Sequence, residues 1–452
     1  MLMIVAANAT TEPSLSDEAV APSGAFARVR RVAIGEDARR ASLAVIDQGL
    51  VSGLSFATSA IIATSCGRTG LGVAHLALTL LYLMMNVQGE LLNAPYTIYR
   101  SRKHGRRLHA YSGSAFVHQS ILAVFGTLAV LILIGLNAFG MGPAELTPSL
   151  WVLLFASPFC LLHTFLRNFS FAAFQFRVAV AMDVVVAVLQ LTILVTLVRL
   201  EMLTVPLLFV AMGASSLVAC IGWFVIRPEP LQYVRKLVLR HWQENWSFGR
   251  WALASHVVGC AGNYVLPWML AIVHDQAATG TYAGCGKLSA LAATFVAGVA
   301  HYLSPKAVSA FTKHGVAGLK RVLFAAGIVF IVTVGGFCIF VGLTGDYILV
   351  SLFGGDFVGT GPVALVLSCA VLANSLAVLG GNGLWAIDRP EANLISDIAA
   401  VILTLLTAAM LVQSHGVMGI AIAAVVGGTV GAVVRGTTLA ILLKRVSIQV
   451  EQ

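Results

Sequence analysis

Two stretches of the chain decide its architecture: TGLGVAHLALTLLYLMMNVQGELLNAPYTIYRSRKHG over Thr69–Gly105, and TGTYAGCGKLSALAATFVAGVAHYLSPKAVSAFTKHG over Thr279–Gly315. They align without a gap at an offset of 210 residues. The identities are Thr69/Thr279, Gly70/Gly280, Leu78/Leu288, Leu81/Leu291, Pro95/Pro305 and the triplet Lys103-His104-Gly105/Lys313-His314-Gly315. Each copy reads as a glycine turn, an apolar run long enough to cross a bilayer, a proline at its far end and a basic loop. Matching leucines are common by chance in apolar sequence, whereas the proline and the KHG triplet in register are not. The chain reads as an internal duplication.

Composition places that duplication in a membrane. Of 452 residues, 58% are hydrophobic and 10% charged, against roughly 45–50% and about 25% in soluble domains. A soluble enzyme, a disordered scaffold and a secreted disulfide mini-protein are excluded. With about 20 apolar residues needed per crossing, hydropathy predicts an all-α integral membrane protein with twelve spans. They lie near 43–65, 71–97, 114–140, 149–166, 179–198, 204–226, 248–273, 282–304, 322–344, 362–386, 393–412 and 417–443. The two repeat copies fall on the second and eighth spans, six apart, and so run in the same direction. That predicts two pseudo-symmetric six-helix lobes, 43–226 and 248–443, related by an axis along the membrane normal. Around them lie a polar tail (1–42), a linker (227–247) and a short end segment (444–452). Met1–Ala7 is too short and lacks the basic start of a signal peptide. Arg28, Arg30, Arg31, Arg39 and Arg40 read as an amphipathic helix on the headgroups.

The net charge of +9 reports topology. With the N-terminus inside, 24 of the 28 Lys and Arg residues fall on the inner segments, Arg68 and Arg199 on outer loops, and Lys287 and Arg435 within spans. This bias places both termini in the cytoplasm and removes the case for a nucleic-acid partner. All loops are short, the longest outer one expected at 345–361. The seven cysteines form no CxxC pair and read as small core residues. Gly284-Cys-Gly-Lys287 lacks the leading Gly and following Ser/Thr of a nucleotide-binding loop, and neither HExxH nor GxSxG occurs. No cofactor, metal site or catalytic residue is expected, and the chain reads as no enzyme.

Certain motifs add a family. Asp47-Gln-Gly-Leu-Val-Ser-Gly53, the Gly67/Gly70/Gly72 turn and Pro95 resemble the first half of bacterial polysaccharide flippases. These form the oligosaccharidyl-lipid branch of the multidrug/oligosaccharidyl-lipid/polysaccharide exporter superfamily. In the second half the likeness rests on Trp246-Ser-Phe-Gly249, Thr279-Gly-Thr-Tyr282, Pro305, Leu352-Phe-Gly354 and Gly416-Val-Met-Gly419. It covers roughly residues 43–443. Ser55-Phe56 departs from it, since near relatives often carry Asn-Phe. The resemblance implies a V-shaped pair of lobes in the bacterial cytoplasmic membrane that passes a polyprenyl-pyrophosphate-linked oligosaccharide, an exopolysaccharide, O-antigen or capsule unit, outward. It points to membrane lipids, a polysaccharide polymerase and glycosyltransferases as partners.

Polar residues inside spans are costly and so are candidate sites. Gln48, Ser52, Ser55 and Ser59 share a face of the first span. Thr79, Asn86, Glu90, Asn93 and Thr97 stripe the second, and Lys287, Thr294, Gly298 and His301 the eighth. These predict a water-filled transport cleft, with Lys287 and Arg435 attracting the pyrophosphate and Glu90, Asn86, Asn93, His301 and Gln48 lining it. Bland readings stand beside this one: helix-packing contacts, and snorkelling for Lys287 and Arg435. Asp47 is a lobe-to-lobe gate, an ion-coupling site or a helix cap. Asp183, His75, His163 and His256 read as structural, and the glycine-rich last span as close helix packing. The competing functions are a cation-coupled multidrug exporter on the same fold, and a membrane polymerase or ligase, which would need a large catalytic loop.

Overall fold

In the computed structural model, which describes residues 36–226 and 230–451, the regular structure is helical throughout. Arg28, Arg30 and Arg31 lie outside the described residues. The helices are α1 (Glu36–Gln88), α2 (Ala94–Arg100), α3 (Arg106–Ala138), α4 (Thr147–Ala172), α5 (Phe176–Arg199), α6 (Val205–Ile226), α7 (Arg235–Val273), α8 (Gln276–Phe353), α9 (Gly361–Ala386) and α10 (Pro390–Glu451). A π turn, Gly89–Asn93, joins α1 to α2. Nine helical stretches among the described residues are long and apolar enough to cross a membrane. Helices satisfy their own backbone groups where water cannot, and their outward side chains, such as Phe125, Phe155, Leu343 and Met410, are exposed and apolar.

Three of these helices are broken. The backbone leaves helical geometry at Gly67 in α1 (φ 68°, ψ −174°), at Gly315 in α8 (φ 58°, ψ −150°) and at Gly416 in α10 (φ 53°, ψ −127°). Each is a point where hydropathy alone predicts a turn, and a Cβ would strain each conformation. Gly105, the counterpart of Gly315 in the repeat, opens α3 with φ 55° and ψ −134°. The KHG triplet therefore ends in the same backbone conformation in both copies.

Two expectations change. The long outer loop at 345–361 is largely helix: α8 continues to Phe353, a 3-10 turn covers Gly355–Phe357, and α9 starts at Gly361. The segment stays folded because Leu349, Phe353 and Phe357 are buried and Asp346 Oδ1 accepts a hydrogen bond from Gly361 N at 2.7 Å. Much of the expected linker is also helix, since α7 begins at Arg235.

The core explains how the two parts of the chain meet. One apolar cluster mixes Ile62, Leu76, Leu150 and Phe209 with Cys285, Phe353 and Phe357, near the Gly67 and Gly354 turns. At the opposite helix ends the clusters are separate: Tyr96, Tyr111, Phe169 and Trp223 in the first part, Ala307, Leu319, Leu384 and Leu439 in the second. The parts are thus pressed together at one end. There a Cβ on Gly72 would lie 1.7 Å from the Gln276 carbonyl oxygen, and one on Gly280 1.9 Å from that of Arg68. Helix α7 touches both parts. Its first turns dock on α3, with His241 Nδ1 2.8 Å from Ser114 Oγ and Tyr111 donating to Asn245 Oδ1 at 2.7 Å. Leu266 and Leu270 pack against Ala408, Val412 and Ile420 of α10.

Candidate functional site

A cavity of about 450 Å³ lies between α1 and α7, lined by His75, Thr79, Tyr82, Met85 and Asn86 from α1 and by Asn263 and Tyr264 from α7. His75, Thr79, Tyr82 and Asn86 recur at i, i+4, i+7 and i+11, one face of a helix. Asn86 Nδ2 donates to the Tyr264 hydroxyl, and Trp268 Nε1 to Thr79 Oγ1 at 3.0 Å, so polar bonds cross between the two helices. Beside the cavity, Lys287 Nζ on α8 donates to Ser55 Oγ on α1 at 2.6 Å. Lys287 stands near His75, and Ser55 beside Tyr82. The partner of Lys287 is a neutral hydroxyl, and no carboxylate pairs with it among the described residues.

Glu90 sits on the π turn, where Ala94 N donates to Gly89 O, five residues back. Pro95 follows immediately and has no N–H to continue the α pattern. The inserted residue turns the helix face by roughly 100°, and this breaks the stripe predicted along the second span. Asn86 remains on the cavity, whereas Asn93 turns into the protein, 2% exposed. Glu90 Oε1 lies 3.3 Å from His256 Nδ1 on α7. Here α7 crosses so closely that a Cβ on Gly249 would stand 2.8 Å from the Glu90 carbonyl oxygen and 3.0 Å from Leu91 Cα. The glycine of the Trp246–Gly249 motif thus serves this crossing.

Gln48 and His301 do not join the cavity. Gln48 is exposed and donates to Ser52 Oγ at 3.4 Å. His301 is exposed, 14 residues beyond Lys287 on the same helix, a distance of about 21 Å at 1.5 Å per residue. Polar residues on one stripe share a face, but not a depth.

Several of the remaining charges within the helices are paired with one another. Asp47, 2% exposed, pairs with Arg167 Nη2; Arg167 Nε donates to Asp183 Oδ2 at 2.5 Å, and His163 Nε2 lies 3.3 Å from Asp183 Oδ1. These partners all belong to the first part of the chain, so Asp47 ties α1 to α4 and α5 and does not bridge two lobes. Arg167, read from sequence as an inner-loop cation, is inside α4. Arg435 Nη2 pairs with Asp397 Oδ1, both on α10 across the Gly416 kink, and so does not offer a free charge. Asp397 was missed. A signal existed: Asp183 and Asp397 each lie four residues after the expected starts of their spans, the fifth and eleventh.

Residues 38–305 match the family described as polysaccharide biosynthesis protein. The chain belongs to that family. Its fold is that of solved superfamily transporters. The inward-facing conformation of a multidrug resistance MATE family transporter of the MOP superfamily matches with TM-score 0.75 at 13% identity, over 87% of this chain and 94% of that one. Lipid II flippase MurJ in its inward closed conformation matches with 0.72 at 13%, over 88% and 87%. An outward-facing MATE family transporter matches with 0.57 at 14%, over 89% and 96%. No curated protein matches the chain. A member of this family with nine long apolar helical stretches among its described residues is a multi-pass membrane protein.

Proposed function

We propose that this protein moves a polyprenyl-pyrophosphate-linked oligosaccharide across the bacterial cytoplasmic membrane by alternating access, without making or breaking a covalent bond. Counting the segments on either side of Gly67, Gly315 and Gly416 separately turns nine long stretches into twelve spans, in lobes 43–226 and 248–443 with both termini cytoplasmic. The shared core at the Gly72/Gly280 end and the separate cores at the other end correspond to a form open toward the basic, cytoplasmic side. The observation that carries the reading is Lys287: a cation at the closed end of the cleft whose partner is Ser55, with no counter-ion among the described residues. An unpaired charge at membrane depth costs about 2.5–3.5 kcal/mol on insertion scales, and an anionic ligand offsets that cost.

A multidrug exporter for cations would need an available acid. Here Glu90 faces His256, Asp47 and Asp183 face Arg167, and Asp397 faces Arg435. With a negative interior, export of an anionic carrier gains about 2.3 kcal/mol per charge per 100 mV, so the membrane potential itself drives the step. The test is transfer of a fluorescent polyprenyl-pyrophosphate oligosaccharide across proteoliposomes. Lys287→Ala is expected to lower the rate at least about tenfold, the equivalent of about 1.4 kcal/mol, and Lys287→Arg to retain most of it. Transfer at the normal rate by Lys287→Ala, with properly inserted protein, removes the cationic-site reading.

A further inference from the structure

Orientation in a bilayer calls for basic residues at one end of the helices, and the two copies of the repeat meet that demand unequally. Both carry the lysine of the KHG triplet, Lys103 and Lys313. The first copy adds Arg100, Arg102, Arg106 and Arg107, where the second has Ala310, Thr312, Val316 and Ala317. The second copy's own further cations, Lys306, Lys320 and Arg321, are spread along α8. A cluster of arginines beyond the shared lysine needs a reason of its own.

The fold enlarges that cluster. Helix α7 has 39 residues, about 58 Å at 1.5 Å per residue, against a hydrocarbon core of about 30 Å. The excess falls on its charged first turns, which therefore stand at headgroup level. They dock on the start of α3: Gln232 N donates to His109 O at 3.1 Å, His118 Nε2 lies 2.9 Å from Val238 O, and Lys103 Nζ donates to Glu244 Oε2 at 2.8 Å. This docking brings Arg235, Lys236 and Arg240 to the surface that carries Arg102, Arg106 and Arg107, and all six are exposed. Glu244 is the one carboxylate within 100–118 and 230–250, and Lys103 already holds it. Among the described residues no carboxylate pairs with Arg106, Arg107, Arg235 or Lys236.

Apolar anchors stand beside these cations. Leu239, Trp246 and Trp251 of α7 are exposed; Trp246 stacks on Trp242 at 6.2 Å, and the Arg250 guanidinium lies 5.4 Å from the centre of the Trp251 ring. Guanidinium groups grip phosphate through paired hydrogen bonds, and indoles settle at the boundary between headgroup and acyl chain. A free phosphate would use the cations alone. An acidic protein would have no use for indoles at the level where α7 enters its apolar span. We infer that the α3–α7 junction binds the headgroups of anionic phospholipids of the phosphatidylglycerol class. The inference goes beyond the transport reading and does not rest on it.

The test places the purified full chain in phosphatidylcholine nanodiscs containing a small share of brominated phosphatidylglycerol or of brominated phosphatidylcholine, and reads quenching of tryptophan fluorescence. The wild type is expected to prefer the anionic lipid at least about fivefold, the value of roughly one cation near a charged surface, and to lose most of that preference in about 0.5 M salt. Trp246→Phe/Trp251→Phe should remove the part of the quenching that depends on phosphatidylglycerol. The exposed pairs Arg106→Gln/Arg107→Gln and Arg235→Gln/Lys236→Gln, one on each side of the junction, should each lower the preference, and together bring it close to one. Lys306→Gln/Lys313→Gln/Lys320→Gln, which removes cations from the other part of the chain, should leave it unchanged. No preference in the wild type, a preference that survives the quadruple variant, or an equal loss in the Lys306 control overturns the lipid site. Complete reversal of the quenching by millimolar glycerol phosphate would assign the surface to a free anion, and binding of soluble polyglutamate without any lipid preference would assign it to an acidic protein; either result also overturns the inference.

Discussion

The contact between Gly72 and Gly280 gives a sharp test of how this transporter closes. Adding a methyl at Gly72 places a Cβ 1.7 Å from the Gln276 carbonyl oxygen and 2.9 Å from Gly280 N. Both neighbours are backbone, so no rotamer change relieves the clash. Reaching 3.0 Å, the closest approach a Cβ tolerates, requires α1 and α8 to separate by at least 1.3 Å. Val at this position adds two further methyls. Overpacking in a well-packed contact costs typically about 1–3 kcal/mol, and the packed alternative open to the protein is the conformation in which the two parts are apart at this end. Gly72→Val is therefore expected to hold the protein open outward, with transfer of lipid-linked oligosaccharide near background. Cys66 reports the change. It is half-buried beside Gly70, with its thiol 3.7 Å from the Leu203 carbonyl oxygen at the same junction. A membrane-impermeant maleimide added outside should label Cys66 several-fold faster in Gly72→Val, measured with the other cysteines replaced by Ala. Normal transfer together with unchanged Cys66 labelling refutes the argument that this contact is the closed outer gate.

Two further predictions concern the buried charges. Arg167→Met leaves Asp47 and Asp183, at 2% and 4% side-chain exposure, without their cation, and breaking such a pair costs about 3–5 kcal/mol; a thermal melt in detergent should fall by several degrees. Adding Asp47→Asn and Asp183→Asn to Arg167→Met should restore most of the loss, and a fall equal to the sum of the separate effects would contradict the network. For the second pair, Asp397→Asn frees the Arg435 guanidinium, whereas Arg435→Met strands a carboxylate that is 30% exposed. Arg435→Met should therefore destabilise more than the double replacement Arg435→Met/Asp397→Asn, as read by the same melt.

Local chemistry made much of the fold readable. The apolar runs, the positive-inside bias and the repeat each depend on residues near one another in sequence. The three kinked helices turn where hydropathy breaks, at Gly67, Gly315 and Gly416, where glycine takes the positive-φ backbone of each turn without strain. Of the candidate site, Lys287 and Asn86 were legible because a charge or an amide within an apolar span is conspicuous whatever surrounds it.

Pairing was not legible. The sequence by itself determined that this chain lives in a bilayer and where its helices break, since solvent preference and backbone sterics act residue by residue. Only the tertiary structure decided which charges are free. Asp47 and Arg167 are 120 residues apart, as Lys287 and Ser55 are 232 apart, and no periodicity links them. It also decided depth and phase: the π turn before Pro95 removes Asn93 from the stripe, and 14 residues of helix carry His301 away from Lys287. A membrane-spanning stripe specifies a face, but a binding site is a volume, and a volume exists only once helices from distant parts of the chain have met.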